Sequence, residues 1–243
     1  MRSQAEYRVL DAGERALVVE FGSTVDPQIN GKALALDAAL SEARVPGVRE
    51  TLPTYRSLMI HYDPLVVSRA ELVARVAAIE AGRVAAPEPK ARWLLPCCYD
   101  PAIAEDIGQI AEMTMLAIDR VVALHAGAAY RVYMYGFAPG YCYLGGLPGE
   151  LAVSRRAAVR APTPQNAVLI GGGLSLVATI SMPTGWYVIG RTPERMYAAR
   201  RSPPFLVDVG DELRFDPVDR ATFESLDARA LAGEDVASRE ALR

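Results

Sequence analysis

The chain has 243 residues, 51% of them hydrophobic, and a formal net charge of −3. That apolar mass suits a soluble protein of one or two domains, and an acidic balance without a Lys/Arg-rich tract gives no reason to expect nucleic acid as a partner. No apolar run reaches transmembrane length, and Met1 does not open a charged-then-apolar signal segment, so the expectation is a cytoplasmic protein with no membrane attachment. Three cysteines, two of them adjacent at Cys97-Cys98, make a poor disulfide framework and fit a reducing compartment. The two histidines, His61 and His125, are far apart, and without a Cys-x-x-Cys or His-x-x-x-His pair no structural zinc site is expected.

Arg15 to Phe21 is a β-branched apolar run ending at Gly22 and predicts a strand. Asp26-Pro27 then supplies an N-cap and a proline suited to the first helical position. Ile29, Ala33, Leu36 and Leu40 mark one face of a helix that stops before Pro46-Gly47. Val48 to Leu52 and Ser57 to Tyr62 predict two further strands joined by Pro53-Thr-Tyr-Arg56, and Ser68-x-x-Glu71 forms a capping box ahead of Leu72, Val73, Val76 and Ile79. The order β-α-β-β-α is that of a ferredoxin-like unit whose fourth strand is still to be placed.

Gly82 to Lys90, containing Ala85-Ala-Pro-Glu-Pro89, reads as a linker. The expected division is a first domain over residues 1–85, a second over 90–220 and a tail over 221–243. Arg92 to Cys98 predicts a strand, and Ile103 to Met113 and Ile118 to His125 predict two helices. From Tyr130 the pattern turns to short strands and turns, with Val168 to Ile170, Leu176 to Ile180, Trp186 to Ile189 and Glu212 to Phe215 the best strands, which argues for a barrel or a sandwich. The alanine- and charge-rich tail from Thr222 is expected as a helix with a frayed end.

More than half of the 19 glycines lie between Gly136 and Gly190, beside aromatics and prolines. Glycine serves where φ is positive or where another group approaches the main chain, so Gly136, Pro139, Gly140, Gly145, Gly146 and Pro148 describe a run of irregular turns. Tyr141 and Tyr143 flank Cys142 and share one face if that piece is extended. The alternative is a tight corner packed under its own aromatics. Gly171-Gly-Gly173 lacks the Lys-Ser/Thr of a phosphate-binding loop and the spacing of a dinucleotide fingerprint, and is not read as a nucleotide site.

Taken together, Gly136-Phe-Ala-Pro-Gly-Tyr-x-Tyr-Leu-Gly-Gly-Leu-Pro148, Gly185-Trp186, Ile189-Gly-Arg-Thr-Pro193, Arg201-x-Pro-Pro204 and Val209-Gly-Asp211 resemble the KipI family. That family includes the B-type component of bacterial 5-oxoprolinase, proteins called allophanate hydrolase subunit 1, and subdomains C and D of urea carboxylase-type carboxyltransferases. The likeness extends to Leu17-Val-Val-Glu-Phe-Gly22, Pro53-x-Tyr-Arg-Ser-Leu58 and His61-Tyr-Asp-Pro64, leaving only the last twenty or so residues uncovered. It implies an α+β chain in which a ferredoxin-like domain is followed by a cyclophilin-like β-barrel. It also implies a subunit that works with a paired C-type chain and an A-type chain to cleave the lactam of 5-oxoproline to glutamate with ATP. Within the same resemblance stand two alternatives: a component of a biotin-dependent carboxyltransferase, and a protein regulator of a sensor kinase. The chain departs from the family where relatives carry Pro-Ala-Gly-Ser-Val and Gln-Thr-Gly-Ile-Tyr-Pro; the Gln-Thr-Gly element is missing, and Gln165, Asn166 and Ser175 are amide or hydroxyl donors at other positions.

The expected substrate-binding residues are Tyr141, Tyr143, Arg160, Trp186 and Arg191, in a site where Tyr141, Tyr143, Trp186 and Arg191 converge as aromatic walls around a fixed cation. Arg155, Arg156, Arg160 and Arg191 have the guanidinium fork that pairs with a carboxylate, a phosphate or carboxybiotin, against the alternative of a solvated or salt-bridged face, which is the expectation for Arg155 and Arg156. Trp186 can stack on a ligand or belong to the core. His125, before Gly127, is read as a cation at a helix C-terminus, with a general-base role as the alternative. No nucleophile-base pair follows from spacing, so the catalytic residues stay unassigned and the chain is expected to be inactive alone.

Overall fold

The structure is a computed structural model and describes residues 7–82, 89 and 91–242. The chain divides into two compact units, Met1–Glu88 and Pro89–Arg243. Of the expected linker at Gly82 to Lys90, all but Gly82 and Pro89 lie outside the described residues.

In the first unit the strands are β1 (Arg8–Asp11), β2 (Ala16–Glu20), β3 (Val48–Pro53) and β4 (Ser57–Tyr62), with helices α1 (Pro27–Ala43) and α2 (Arg69–Ala81). The sheet order is β1-β2-β4-β3, antiparallel throughout. The strand that the sequence pattern leaves unplaced is β1, which precedes the β-α-β-β-α series and forms a hairpin with β2. Both helix starts form as their residues dictate. Asp26 accepts from the backbone N–H of Gln28 and Ile29, and Ser68 and Glu71 close their capping box reciprocally. Ala33, Leu36, Leu40, Leu72 and Val76 join Leu17, Val19, Leu58 and Ile60 in one core. Buried Asn30 donates to Thr54 O at 3.0 Å, so the Pro53-Thr-Tyr-Arg56 turn is tied to the first turn of α1.

The second unit runs through β5 (Ala91–Cys98), α3 (Ile107–Thr114), α4 (Ile118–Gly127), β6 (Tyr130–Tyr135), β7 (Cys142–Gly145), β8 (Ala167–Gly171), β9 (Leu174–Ala178), β10 (Tyr187–Arg191), β11 (Glu212–Val218), α5 (Arg220–Leu231) and β12 (Ser238–Ala241). Seven strands in the order β10-β8-β9-β7-β6-β11-β5 close into a cyclophilin-like barrel through Arg191 opposite Cys98. Closure demands close backbone approach: a Cβ on Gly190 would lie 2.8 Å from Cys97 Sγ. This is the structural use of the Ile189-Gly-Arg run. Gly172 and Gly173, at φ 62° and 76°, make the two-residue turn of the β8–β9 hairpin.

Leu95, Tyr130, Val132, Leu144, Val168, Ile170, Val177, Ile189, Leu213 and Phe215 fill the barrel, with Ile107 and Ile110 of α3 and Val121 of α4 in the same cluster. The opposite face of the sheet is buried as well: Ala167, Leu169, Leu176, Ala178 and Val188 pack with Tyr141 and Trp186. Strands buried on both faces read as unbroken apolar runs, which is why Ala167 to Ile170 shows no alternation.

Two expectations are corrected. The helix expected from Ile103 begins at Ile107, because Asp100 accepts from the N–H groups of Ala102, Ile103 and Ala104 and holds that piece in a turn. The tail does not fray after its helix: β12 pairs with β5 from Ser238 opposite Leu94 to Ala241 opposite Ala91. The physical cause is the wholly buried carboxylate of Glu194, which accepts from the backbone N–H of Arg195, Val236 and Ala237 at 2.7, 2.6 and 2.7 Å. Replacing Glu194 by Ala orphans three donors and is expected to cost about 3 kcal/mol of unfolding free energy. Amide exchange would show the loss first at Val236, Ala237 and the β12 residues; unchanged protection there would exclude the clamp.

Candidate functional site

The run from Gly136 to Tyr141 is the loop of the β6–β7 hairpin, which pairs Tyr135 with Cys142. Gly136 N–H donates to Tyr141 O and Tyr141 N–H to Ala138 O, while Thr179 Oγ1 holds Pro139 O at 2.7 Å. Gly140 is required twice over, by φ of +74° and because a Cβ would lie 2.5 Å from that of Tyr197. Phe137 also has a positive φ, 75°, and is 73% exposed. A bulky side chain in the left-handed region costs on the order of 1–2 kcal/mol, and here burial does not repay it.

From Phe137 a chain of rings leads inward. Phe137 stands 5.6 Å from Tyr141, Tyr141 lies 5.9 Å from Tyr143, and Tyr143 meets Trp186 edge-on at 6.3 Å. Tyr141 and Trp186 are only 4% and 8% exposed, whereas Tyr143 is half-buried. Burial, with Tyr143 beside it, pushes the Tyr141 hydroxyl up to about 12; burial also raises Tyr143, against the pull of Arg155. Both phenols therefore keep their protons at neutral pH. The guanidinium of Arg155 lies over the Trp186 ring at 5.9 Å. In the sequence Arg155 is only one of four similar arginines. Its place here follows from the hairpin Gly171-Gly-Gly173 and from Gly185, which flank its side chain and which nothing local in the sequence joins to it.

Tyr141, Tyr143 and Trp186 thus come together as expected, whereas the two expected arginines find their partners elsewhere. Arg160 is bound by Asp106 and Glu105, and Arg156 by Asp106 at 2.7 Å and Gln109 at 2.8 Å. The face is salt-bridged rather than an open anion fork. Arg191 donates to Gln165 O at 3.2 Å and lies 5.3 Å from the Phe223 ring of α5. It ends β10 five residues after Trp186, roughly 16 Å along an extended strand, so the expected meeting with the three aromatics is corrected by the length of the strand itself. Gln165 is exposed beside it, and Asn166 turns the chain into β8 with φ of 58°.

A serine and a histidine do meet, which spacing does not reveal. His125 Nε2 is 3.3 Å from Ser175 Oγ and Nδ1 is 2.8 Å from Tyr99 Oη, with His125 and Ser175 wholly buried. Ser175 Oγ donates to Leu169 O at 3.1 Å, so its proton is committed to the backbone. Neutral His125 with its proton on Nε2 satisfies the set: Tyr99 donates to Nδ1, Nε2 donates to Ser175, and Ser175 donates to Leu169. Among the described residues this is a packed polar thread, and it takes Ser175 out of the search for ligand donors. The expected cation at the helix end is likewise corrected, since desolvation lowers the His125 pKa from 6.5 to about 3.

The sign of the resulting pH dependence is fixed. Above pH 6.5 folded and unfolded chains both hold neutral imidazole; as pH falls toward about 3, only the unfolded chain takes up the proton. Stability is expected to fall over that window by up to about 1.4 kcal/mol per pH unit from this residue. Urea unfolding across the range should show the extra slope in the parent chain and its loss in His125→Gln. For the ion-pair hub, Asp106→Asn leaves Arg156 and Arg160 without their shared counter-charge and is expected to cost about 3 kcal/mol in the same assay. A loss no larger than that of an exposed salt bridge would remove Asp106 from the framework.

Comparison with known proteins agrees with this architecture. The family model for the carboxyltransferase domain, subdomain C and D, matches residues 7–207. The B-type component of 5-oxoprolinase from Bacillus subtilis (strain 168) is 31% identical over 220 residues, which cover 86% of this chain and 92% of that protein. The crystal structure of TTHA0988 superposes with a TM-score of 0.76 at 31% identity over 84% of this chain, which spans only 40% of that longer polypeptide. Urea carboxylase of Kluyveromyces lactis shares the fold, with a TM-score of 0.80 at 18% identity over 97% of this chain and 24% of that one. With most of its length matched by the family model and a relative aligned almost end to end, the chain belongs to the carboxyltransferase subdomain C and D family.

Proposed function

We propose that this chain is the B-type component of a cytoplasmic, ATP-dependent 5-oxoprolinase that opens the lactam of 5-oxoproline together with a paired C-type chain and an A-type chain. The observation that carries the reading is the alignment with the B-type component from Bacillus subtilis, which leaves little of either chain unmatched. The requirement for partners is supported by the chemistry of the site. Tyr141, Tyr143 and Arg155 line the site with aromatic rings and one charge, suited to binding and to stabilising negative charge, and the serine that meets a histidine, Ser175, has its proton committed to Leu169 O. Buried, unpaired Cys97, Cys98 and Cys142 suit a reducing compartment.

ATP activates an amide when a phosphoryl group is transferred to its oxygen, and the Gly171-Gly-Gly173 triplet lacks the Lys-Ser/Thr of a phosphate-binding loop. Gly172 N–H, in the only glycine triplet, already donates to Val153 O at 2.8 Å. ATP is therefore assigned to the assembled enzyme. The test is to incubate the purified chain with ATP and 5-oxoproline, alone and with its C-type and A-type partners, and to measure glutamate and ADP. No turnover alone and turnover in the mixture are expected. Robust hydrolysis by the single chain would overturn the requirement for partners, and a silent full mixture would overturn the hydrolase reading in favour of biotin-dependent carboxyl transfer or regulation of a sensor kinase.

A further inference from the structure

Three arginines lie within six residues, and the structure treats them differently. Arg156 and Arg160 are neutralised by Asp106 and Glu105. Arg155 is exposed and has no carboxylate within ion-pair distance among the described residues. It is nevertheless held in place. Its guanidinium lies over Trp186, its methylenes run beside Gly171 and Gly172 where a Cβ would meet Cγ at 3.5 and 3.6 Å, and a Cβ on Gly185 would be 3.6 Å from Nε and Nη2. The charge is close enough to act on the Tyr143 hydroxyl. A guanidinium fixed by its stem, open at its fork and beside a protonated phenol is built to receive an oxyanion.

We propose that Arg155 is the anion-recognising residue of the aromatic site, and that it takes the carboxylate of a small cyclic ligand beside Tyr143. The charge balance selects the ligand class. One uncompensated cation matches a monoanion, whereas a dianionic phosphate calls for further positive charge, and the neighbouring arginines are already paired. Trp186 acts beneath the arginine as a platform, since its own face is mostly covered. The identity of the ligand as 5-oxoproline rests on the hydrolase reading; the carboxylate site does not.

The chain's two tryptophans are Trp93 and Trp186, so a full-length Trp93→Phe variant reports from Trp186 alone. Its fluorescence is titrated with 5-oxoproline, with cyclopentanecarboxylate, which keeps the carboxylate without the lactam, and with 2-pyrrolidinone, which keeps the lactam without the carboxylate. Both carboxylates are expected to bind, 2-pyrrolidinone to bind far more weakly, and Arg155→Gln to weaken the carboxylates about ten- to hundredfold. Arg155→Lys should recover only part of that loss, because lysine keeps the charge and not the fork. An unchanged melting temperature in Arg155→Gln, expected of an exposed side chain, separates binding from folding. Equal affinity of parent and Arg155→Gln, absence of carboxylate binding, or equal binding of 2-pyrrolidinone would each overturn the proposal. In the assembled enzyme, hydrolysis with an unchanged KM in Arg155→Gln would overturn the site and leave the hydrolase reading standing. Carboxylate binding without hydrolysis would do the reverse.

Discussion

In the second unit the carboxylate of Asp106 joins three stretches that are distant in sequence. It accepts from Arg156 and Arg160 and from the backbone N–H of Val188, while its own N–H donates to Val188 O at 2.8 Å. The start of α3, the middle of β10 and the segment around 156–160 are thereby held at one point. That segment in turn bonds to 182–185 through Arg156 N–H to Gly185 O, Arg160 N–H to Thr184 O and Thr163 N–H to Met182 O. Its placement matters because the outer face of β8 and β9 is covered by Tyr141, Met182 and Trp186, and the last two lie in or beside the 182–185 piece that this segment bonds to.

The candidate site is a by-product of that covering. Trp186 follows Gly185 directly and is packed on the outer face, and Arg155 precedes the paired Arg156, so bonding this segment down lays one arginine across the tryptophan ring. The hairpin loop 136–141 brings Tyr141 and Tyr143 to the same layer. Neutralising two arginines while leaving the third open gives the site one net positive charge. This is a more selective arrangement than the four-arginine cluster that the sequence suggests, because attraction of a given strength is confined to one position.

The buried polar groups of this unit divide by what satisfies them. Glu194 and Asp211 each collect several N–H donors: Asp211 takes Ala91 and Asp208 from the backbone and the Trp93 ring N–H, fixing the start of β5 against β11. The Tyr99-His125-Ser175 thread ends on Leu169 O. Burial without compensation would cost several kcal/mol for each charge, so these acids sit where backbone donors cluster. The acids of the Thr-Pro-Glu194 and Val209-Gly-Asp211 stretches thus hold the tail at Val236 and Ala237 and the start of β5.

Local signals were sufficient for all of the first unit but β1. Caps, prolines and periodicity act over a few residues, so α1, α2, β3 and β4 could be read from Asp26-Pro27, the Ser68 capping box and the alternation of Ser57 to Tyr62. The irregular turns and the pairing of Tyr141 with Tyr143 were legible for the same reason: glycine, proline and the two-residue strand period are local properties. β1 and β12 were not legible, because a four-residue edge strand takes its stability from the partner it pairs with and carries little pattern of its own. Nor did the sequence sort its arginines correctly, setting Arg155 aside and Arg160 in the site, since Arg155, Arg156, Arg160 and Arg191 carry the same charge and differ only in what folding brings beside them. Whether an arginine is consumed or left open is decided by carboxylates about fifty residues away, as at Asp106, and by the end of the strand on which it falls, as at Arg191. Those distances exist only in the folded chain.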